Sequence, residues 1–305
     1  MKKDFISIHD ISRYEFFELM DMTQKIKDDP DDFRKKLKNR VLAMIFEKPS
    51  LRTRMTFEVG MLELGGKAIY LSPSEIQIGK RETVEDVAHN LERWVDGIMV
   101  RTFAHDNVVR LAQAASIPVI NALTDLLHPC QAMADFFTLK EHKGDISRIK
   151  LAWVGDGNNV CHSLMFAAAK TGCRMSVAVP KGYEPNPEIV KLALADGQGT
   201  GFQLTISNNP AEAVREADAI YTDTWTSMGQ ETEKEERLRT FAPFQVNEAL
   251  MAQANPDCVF MHCLPAHRGE EVTAEVFEGP RSIVFDEAEN RLHAQKAIML
   301  ALMGK

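Results

Sequence analysis

Short runs of β-branched and apolar residues alternate with longer segments of helical periodicity, and this alternation constrains the fold more than any other feature. Strands separated by helices are typical of parallel sheets covered by helices on both faces, so we predict an α/β fold with doubly wound sheets. The predicted strands are Arg40–Phe46, Lys67–Leu71, Gly97–Val100, Ile117–Ile120, Lys150–Val154, Met175–Val179, Phe202–Ile206, Ala219–Thr222, Cys258–His262 and Ser282–Phe285. The predicted helices include Met55–Leu64, Val84–Leu91, Val108–Ala115 and Glu289–Met303.

A polar segment at Glu141–Arg148, with a turn glycine at Gly144, divides the alternation into two halves. A chain of 305 residues is also longer than one typical domain. We therefore predict a first domain of residues 1–140, joined by the C-terminal helix 289–305, and a second domain of residues 148–286.

The charge and cysteine content exclude several classes of protein. Lys and Arg total 36 against 44 for Asp and Glu, and a net charge of −8 argues against a nucleic-acid partner. No run approaches the roughly 20 apolar residues of a membrane span, and no apolar signal core follows the basic start. The five cysteines show no C-x-x-C spacing, which argues against a disulfide framework or a zinc site. We expect a cytoplasmic protein with reduced thiols and no membrane partner.

An anion-binding turn is predicted where the first strand ends, in Ser50-Leu51-Arg52-Thr53-Arg54. Ser50 is a suitable N-cap, which leaves backbone N–H groups and the positive end of a helix at the strand tip. Hydroxyls and guanidinium groups beside such a helix start suit a phosphate or a carboxylate. The alternative is an ordinary capped helix with two surface arginines. Gly79-Lys80 is not a P-loop, because Ser74 and Arg81 replace residues that the motif requires.

A second turn, Gly155–Val160, suggests a dinucleotide-binding loop and hence an oxidoreductase. It satisfies only G-x-G, because Val160 occupies the position of the third glycine. The following strand lacks an acidic residue for a ribose, so we do not expect a nicotinamide cofactor.

Four motifs in order carry a resemblance to a known family. Ser50–Arg54 is similar to its S-T-R-T-R signature and His128–Gln131 to its H-P-x-Q, while Asp223–Gly229 and His262–Pro265 match D-x-x-x-S-M-G and H-C-L-P of its ornithine branch. The chain thus resembles the aspartate/ornithine carbamoyltransferase superfamily over nearly its whole length. Leu51 departs from the usual Thr, and offers an anion only its backbone N–H.

The resemblance implies two doubly wound parallel-sheet domains joined by interdomain helices, with the active site in the cleft between them. The implied reaction, of the EC 2.1.3.3 type, transfers the carbamoyl group of carbamoyl phosphate to the δ-amine of L-ornithine. Biosynthetic and degradative versions share these residues, and of the two we expect arginine biosynthesis. The reaction needs no metal and no organic cofactor. The resemblance also implies a homotrimer in which the loop carrying Gln77 and Lys80 reaches a neighbouring subunit. Another acceptor, such as putrescine, and a non-catalytic binding protein are the alternatives.

The resemblance also assigns roles to individual residues. The residues implied to bind carbamoyl phosphate are Ser50, Leu51, Arg52, Thr53, Gln77, Arg101, His128, Gln131 and Arg291. The residues implied to bind ornithine are Asn159, Asp223, Ser227, Met228, Cys263 and Leu264. The residues implied to be catalytic are Arg101, His128, Cys263 and Arg291.

Position alone gives less specific interpretations for several of these residues. His128 would more often be a packed histidine, and Arg291 a surface charge near the start of a helix. His262 and Cys263 are adjacent on a predicted strand, so their side chains should point to opposite faces and form no nucleophilic dyad. The segment Asp223–Glu235 is a candidate mobile lid or a solvated loop.

Overall fold

The computed structural model describes residues 3–76, 78–79, 81–226, 229 and 231–304. The chain divides into two compact units, unit 1 with residues 1–137 and 289–305, and unit 2 with residues 138–288. Each unit contains one parallel sheet with helices connecting its strands, so the predicted α/β fold with two parallel-sheet domains is confirmed.

The sheet of unit 1 has the strand order β2-β1-β3-β4. Its strands are β1 (Val41–Phe46), β2 (Lys67–Leu71), β3 (Gly97–Arg101) and β4 (Val119–Leu123). Every pair is parallel. β3 and β4 are buried along their whole length, whereas the edge strand β2 is half exposed. Apolar sequence is therefore near-continuous in the buried strands, and the half-exposed edge strand β2 also carries polar residues such as Lys67.

The helices of unit 1 cover this sheet and begin at recognisable caps. They are α1 (Arg13–Asp28), α2 (Leu51–Glu63), α3 (Pro73–Ile76), α4 (Val84–Leu91), α5 (His105–Ala114) and α6 (Pro129–Lys143), of which α6 continues into unit 2. Ser12 forms a capping box with Glu15 at the start of α1, and Thr83 caps α4. Apolar residues of α4 and α5, such as Leu91 and Leu111, join strand residues in one buried cluster.

The sheet of unit 2 has the strand order β7-β6-β5-β8-β9, again with every pair parallel. Its strands are β5 (Lys150–Val154), β6 (Arg174–Ala178), β7 (Gln203–Ser207), β8 (Ala219–Thr222) and β9 (Val259–His262). Val154, Ile220 and Phe260 contribute to one buried cluster with helix residues of the same unit. The interior strand β8 and the edge strand β9 are both buried throughout.

The helices of unit 2 differ in how far they are buried. They are α7 (Asn159–Thr171), α8 (Pro187–Asp196), α9 (Pro210–Val214), α10 (Lys234–Phe241), α11 (Glu248–Met251), α12 (Ala274–Phe277) and α13 (Val284–Met303), which ends in unit 1. Short 3₁₀ turns occupy Ile8–Asp10, Pro30–Phe33, Glu231–Glu233 and Ala242–Phe244. α7 is buried from Val160 to Thr171, which explains its apolar sequence on every face.

The predicted strand Ser282–Phe285 is wrong. The predicted strand Ile117–Ile120 is displaced, because β4 spans Val119–Leu123. Ser282 forms only an isolated bridge with Phe260, and helix α13 begins at Val284. Asp286 and Glu287 lie in the first turn of that helix, where the helix dipole favours carboxylates. A four-residue apolar run does not by itself distinguish a strand from a helix start.

Within the described residues, no helix is both long enough and apolar enough to cross a lipid bilayer. The 20-residue helix α13 has the length but carries several charged side chains.

Candidate active site

Each sheet has one place where the strand order reverses, and several of the predicted site residues follow the strands at that place. In unit 1 the reversal lies between β1 and β3, and in unit 2 it lies between β5 and β8. Crossovers leave these strands in opposite directions, which opens a crevice at their carboxyl ends. Ser50 follows β1, Arg101 ends β3, and Asp223 follows β8.

The start of α2 has the geometry that the sequence predicts. Ser50 has an extended backbone, and its Oγ accepts a hydrogen bond from the Thr53 backbone N–H at 3.2 Å. A hydroxyl that accepts as an N-cap keeps its own hydrogen for a further partner. Ser50 therefore closes the helix and can still donate to a bound anion.

The residues of the anion motif face different environments. Thr53 is buried, Arg52 is half buried, and the Leu51 side chain is 74% exposed. Arg54 is exposed, its guanidinium forms an ion pair with Glu58 at 3.3 Å, and it lies 4.1 Å from the centroid of the Tyr70 ring. Arg52, rather than Arg54, is therefore the guanidinium at this helix start that is not exposed.

A buried hydrogen-bond network connects α2, α6 and α13 within unit 1. Arg291 donates from Nη1 to Gln131 Oε1 at 2.6 Å and from Nη2 to Thr53 Oγ1 at 3.1 Å. Gln131 Nε2 in turn donates to Asp135 Oδ1 at 2.7 Å. Arg291 is only 2% exposed, so the surface position that its place in the sequence suggests is wrong.

His128 is held as a neutral imidazole in this environment. Burial lowers the pKa of His128 well below its ordinary value, and the positive charges of Arg291, Arg101 and Arg52 lower it further. A neutral imidazole beside three guanidinium groups can donate one hydrogen bond without adding a fourth positive charge. The arrangement suits an anionic ligand with a polarised carbonyl group.

Two residues that sequence reasoning missed hold the segment between β1 and the anion motif. Glu47 donates from its backbone N–H to the Arg101 carbonyl at 2.8 Å, and its carboxylate accepts from the Thr102 hydroxyl. The Lys48 ammonium pairs with Asp125. Their position directly after a strand at the reversal of the sheet was the signal that could have identified them.

In unit 2, Asp223 is the centre of a compact polar cluster. Its Oδ2 accepts from Asn158 Nδ2 at 2.8 Å, and its Oδ1 accepts from the Cys263 thiol at 3.1 Å and from the Thr224 backbone N–H at 2.8 Å. Asn158 also caps α7 through its Oδ1. Asn159 is the half-buried first residue of that helix.

The prediction that the side chains of His262 and Cys263 point to opposite faces of a strand is wrong. β9 ends at His262, so the alternation of a strand does not continue to Cys263, and both side chains offer ligand-type atoms within 4.8 Å of Asp223. His262 still makes no dyad, for a different reason. Its Nδ1 accepts from the Leu264 backbone N–H at 2.9 Å, and its Nε2 lies 3.0 Å from Glu271 Oε1.

Because Nδ1 of His262 accepts a hydrogen bond, the ring proton is on Nε2 and is donated to Glu271. Neither nitrogen is available to take a proton from a thiol or to bind a metal without breaking one of these bonds. Leu264 itself has a left-handed backbone, with φ of 61°, which is costly for a residue with a side chain. The chain is therefore bent sharply beside Cys263.

The five cysteines are free thiols in two kinds of environment. Burial raises the pKa of Cys130, Cys173 and Cys258 to about 12, and it raises the pKa of Cys161 well above the ordinary value. Cys263 alone is partly exposed. Its position beside Asp223 distinguishes it from the four core thiols.

Three residues predicted to contribute to the site, Gln77, Ser227 and Met228, lie outside the described residues, as does Lys80. Two described side chains of unit 2 were missed by the sequence predictions. Arg237 of α10 is buried and donates to Asp156, which follows β5. Asp156 occurs in the Gly155–Asn159 turn, and that turn was the available signal.

Comparison with known proteins gives one consistent result. Residues 3–141 match the family model described as aspartate/ornithine carbamoyltransferase, carbamoyl-P binding domain, and residues 147–302 match the Asp/Orn binding domain of the same family. Ornithine carbamoyltransferase from Anoxybacillus flavithermus is 52% identical over 99% of this chain and 96% of the relative. The Archaeoglobus fulgidus protein of that name is also 52% identical, over 99% of this chain and 98% of its own.

The solved structures agree with these sequence relatives. The chain is similar to ornithine carbamoyltransferase from Pyrococcus furiosus, with a TM-score of 0.95 and 48% identity over 99% of this chain and 97% of that one. The structure from Thermus thermophilus gives a TM-score of 0.90 at 48% identity, with 99% of each chain covered.

Proposed function

The chain belongs to the aspartate/ornithine carbamoyltransferase family, and from this premise we propose that it transfers a carbamoyl group from carbamoyl phosphate to the δ-amine of L-ornithine. The products are L-citrulline and phosphate. The observation that carries the proposal is the buried network in which Arg291 joins Gln131 and Thr53, with His128 in the positive field of Arg291, Arg101 and Arg52. Residues 1–140 with helix 289–305 would bind carbamoyl phosphate, and residues 148–286 would bind ornithine.

The phosphate group would bind at the start of α2. Ser50 can donate its hydroxyl hydrogen, the backbone N–H of Leu51 lies in the first helical turn, and Arg52 and Thr53 follow. Arg101 at the end of β3 adds a buried positive charge. Backbone N–H groups and the helix dipole together stabilise a phosphate dianion, and the exposed Leu51 side chain takes no part. Gln77 is proposed as a further contact.

The carbamoyl group would lie against His128, Thr53, Arg101 and Arg291. A developing negative charge on the carbonyl oxygen needs donors that are already in place, and the neutral His128 has one ring N–H that can donate. Gln131 Oε1 already accepts from Arg291, and its second lone pair could accept from the carbamoyl NH₂. The buried network fixes these groups before the substrate arrives.

Ornithine would bind in unit 2, with its α-ammonium against Asp223 and its α-carboxylate against Asn159. Ser227 and Met228 are proposed as further contacts. The Cys263 thiol and the Leu264 carbonyl are proposed to orient the δ-amine. Support comes from Asp223, because it is buried and its two oxygens are held by Asn158 and Cys263. The fixed Asp223 carboxylate would hold the ammonium in one place, and the α-carboxylate contact at Asn159 would discriminate an amino acid from a simple diamine.

The chemical step forms a C–N bond between the δ-amine and the carbonyl carbon and breaks the C–O bond to phosphate. An alkyl ammonium has a pKa near ~10.4, so the site must bind or generate the neutral amine. The departing phosphate can accept the amine proton. Positioning and electrostatic stabilisation would supply most of the acceleration, with no covalent intermediate on the chain.

We also propose a homotrimer, because unit 1 presents an apolar groove of about 710 Å³ on α2 and the edge strand β2. Leu51, Met55, Leu62 and Ile69 are exposed there. An unpaired edge strand beside an apolar patch is a typical site for a second copy of the chain. The groove begins at the anion motif, which supports a loop with Gln77 and Lys80 that reaches a neighbour. Light scattering should give three times the mass of one chain.

The cellular role is proposed from the reaction. Cytoplasmic synthesis of arginine is the proposed setting, because citrulline formation consumes carbamoyl phosphate in the biosynthetic direction.

One experiment tests the proposed activity. Purified protein is mixed with carbamoyl phosphate and, in separate wells, with L-ornithine, L-aspartate, putrescine or N-acetyl-L-ornithine, and each carbamoylated product is measured. Citrulline from ornithine alone is the expected result. Product from putrescine would contradict the proposed recognition of the α-carboxylate by Asn159, and folded protein without product in any well would contradict the proposed activity.

A further inference from the structure

Helix α10 is highly charged, yet it buries one arginine. Its sequence Lys-Glu-Glu-Arg-Leu-Arg-Thr-Phe turns only Arg237 and Phe241 inward, at positions i and i+4 of one face. Arg237 is 5% exposed, whereas Arg239 on the same helix is exposed. A buried guanidinium is costly unless its donors are satisfied, so its partners indicate what it does.

The guanidinium of Arg237 joins three segments of unit 2. Its Nη1 donates to Asp156 Oδ2 at 2.8 Å and to the Trp225 carbonyl at 2.9 Å, and its Nε donates to Glu233 Oε2 at 3.0 Å. It also lies 4.9 Å from the centroid of the Tyr183 ring. The planar fork of an arginine can make these contacts at once, which a lysine cannot.

These contacts fix the tripeptide Asp223–Trp225 at both ends. Asp223 accepts from Asn158, and the Trp225 carbonyl accepts from Arg237, which also donates to Asp156. Asn158 and Asp156 belong to the same turn after β5. The turn at one strand end therefore sets the position of the segment that follows the neighbouring strand.

We propose that Arg237 is a positioning residue for ornithine binding, acting through the Trp225 carbonyl on the segment that begins at Asp223. This inference rests on the proposed function, because it assumes that Asp223 binds the ornithine ammonium. Arg237 and its hydrogen-bond partners belong to unit 2, whereas the residues proposed to bind carbamoyl phosphate belong to unit 1. Loss of Arg237 should therefore weaken the binding of ornithine and leave the binding of carbamoyl phosphate unchanged.

The test uses steady-state kinetics of the full chain with both substrates varied. Arg237→Lys keeps a positive charge on a shorter side chain but loses the planar guanidinium, whose Nη1 donates to both Asp156 and the Trp225 carbonyl while its Nε donates to Glu233. We expect its KM for ornithine to rise at least fivefold, with the KM for carbamoyl phosphate within twofold of wild type. Arg237→Gln should raise the ornithine KM further, by tenfold or more, because a hydrogen bond to a charged group is lost.

Arg239→Gln is the matched control, because it removes the same charge from the same helix at an exposed position. Its KM for ornithine should stay within twofold of wild type. An ornithine KM within twofold of wild type in Arg237→Lys would overturn the inference, as would equal rises in both KM values. If Arg237→Gln does not fold, the KM for ornithine of Arg237→Lys alone tests the inference. A wild-type chain that forms no citrulline would refute the proposed function instead.

Discussion

Ser50→Asp should separate the structural role of Ser50 from its proposed role in phosphate binding. Ser50 caps α2 through its Oγ, and Asp is as good an N-cap as Ser. A carboxylate at a helix N-terminus also interacts favourably with the helix dipole. We therefore expect the melting temperature of Ser50→Asp to stay within about 3 °C of wild type.

Phosphate binding should respond in the opposite way. A carboxylate and a phosphate about 4 Å apart repel by roughly 4 kcal/mol per unit charge at an effective dielectric constant of about 20. That energy corresponds to roughly a thousandfold in affinity. Arg52 and Arg101 lie in the same site and offset part of the repulsion. We expect the KM for carbamoyl phosphate to rise at least about 100-fold.

The assay measures citrulline formation against carbamoyl phosphate at saturating ornithine, and the thermal shift produced by inorganic phosphate. Ser50→Asn is the neutral control, since Asn also caps well. Asn186→Asp places the same charge at the N-cap of α8 in unit 2 and should leave this KM unchanged. A folded Ser50→Asp protein with a KM within tenfold of wild type would refute phosphate binding at this helix start.

Three further predictions follow from the same geometry. Thr53→Val keeps the side-chain shape but removes the hydroxyl beside Arg291, so kcat should fall by about 10²–10³ if that hydroxyl is a transition-state donor, and an unchanged kcat would contradict the role. The folded state lowers the pKa of His128, so below about pH 6.5 the unfolded state binds more protons and the free energy of unfolding falls as pH falls. His128→Asn should reduce that slope in denaturant melts between pH 5 and 7, and equal slopes would argue against the burial effect. Asp223→Asn should raise the KM for ornithine at least about tenfold while sparing carbamoyl phosphate, and equal effects on both substrates would count against the proposed site.

The parts of the fold that depend on local sequence were predictable. Buried parallel strands such as β5 read as continuous apolar runs, and Ser50 identifies a helix start because an N-cap acts on the next three residues. Ligands bind beyond the carboxyl ends of the strands in open α/β sheets, so Arg101 and Asp223 could be selected as strand-end residues before the strand order was known. The strand order then showed that both positions lie where a sheet reverses direction.

The parts that depend on distant contacts were not predictable from position. The sequence position of Arg291 suggests a surface charge. Its buried hydrogen bonds to Thr53 of α2 and Gln131 of α6 become visible only in the folded unit. Arg237 lies in a run of charged residues that is typical of a solvated helix, and its partners are 12 and 81 residues away. His262 and Cys263 could be placed only once the end of β9 was known. Tertiary contacts decide such cases, since sequence separation hides them from any local pattern.

Four of the five thiols are buried and Cys263 is partly exposed, so the natural chain can be labelled at a single site. A thiol with a pKa near 12 is only about 10⁻⁴ ionised at pH 8, and the thiolate is the form that reacts with alkylating probes. A fluorophore or spin label should therefore attach at Cys263 without any engineered cysteine removal. Because the Cys263 sulfur lies 3.1 Å from Asp223 Oδ1, a ligand bound at Asp223 should slow the labelling of Cys263. Binding of such a ligand could then be followed from the labelling rate alone.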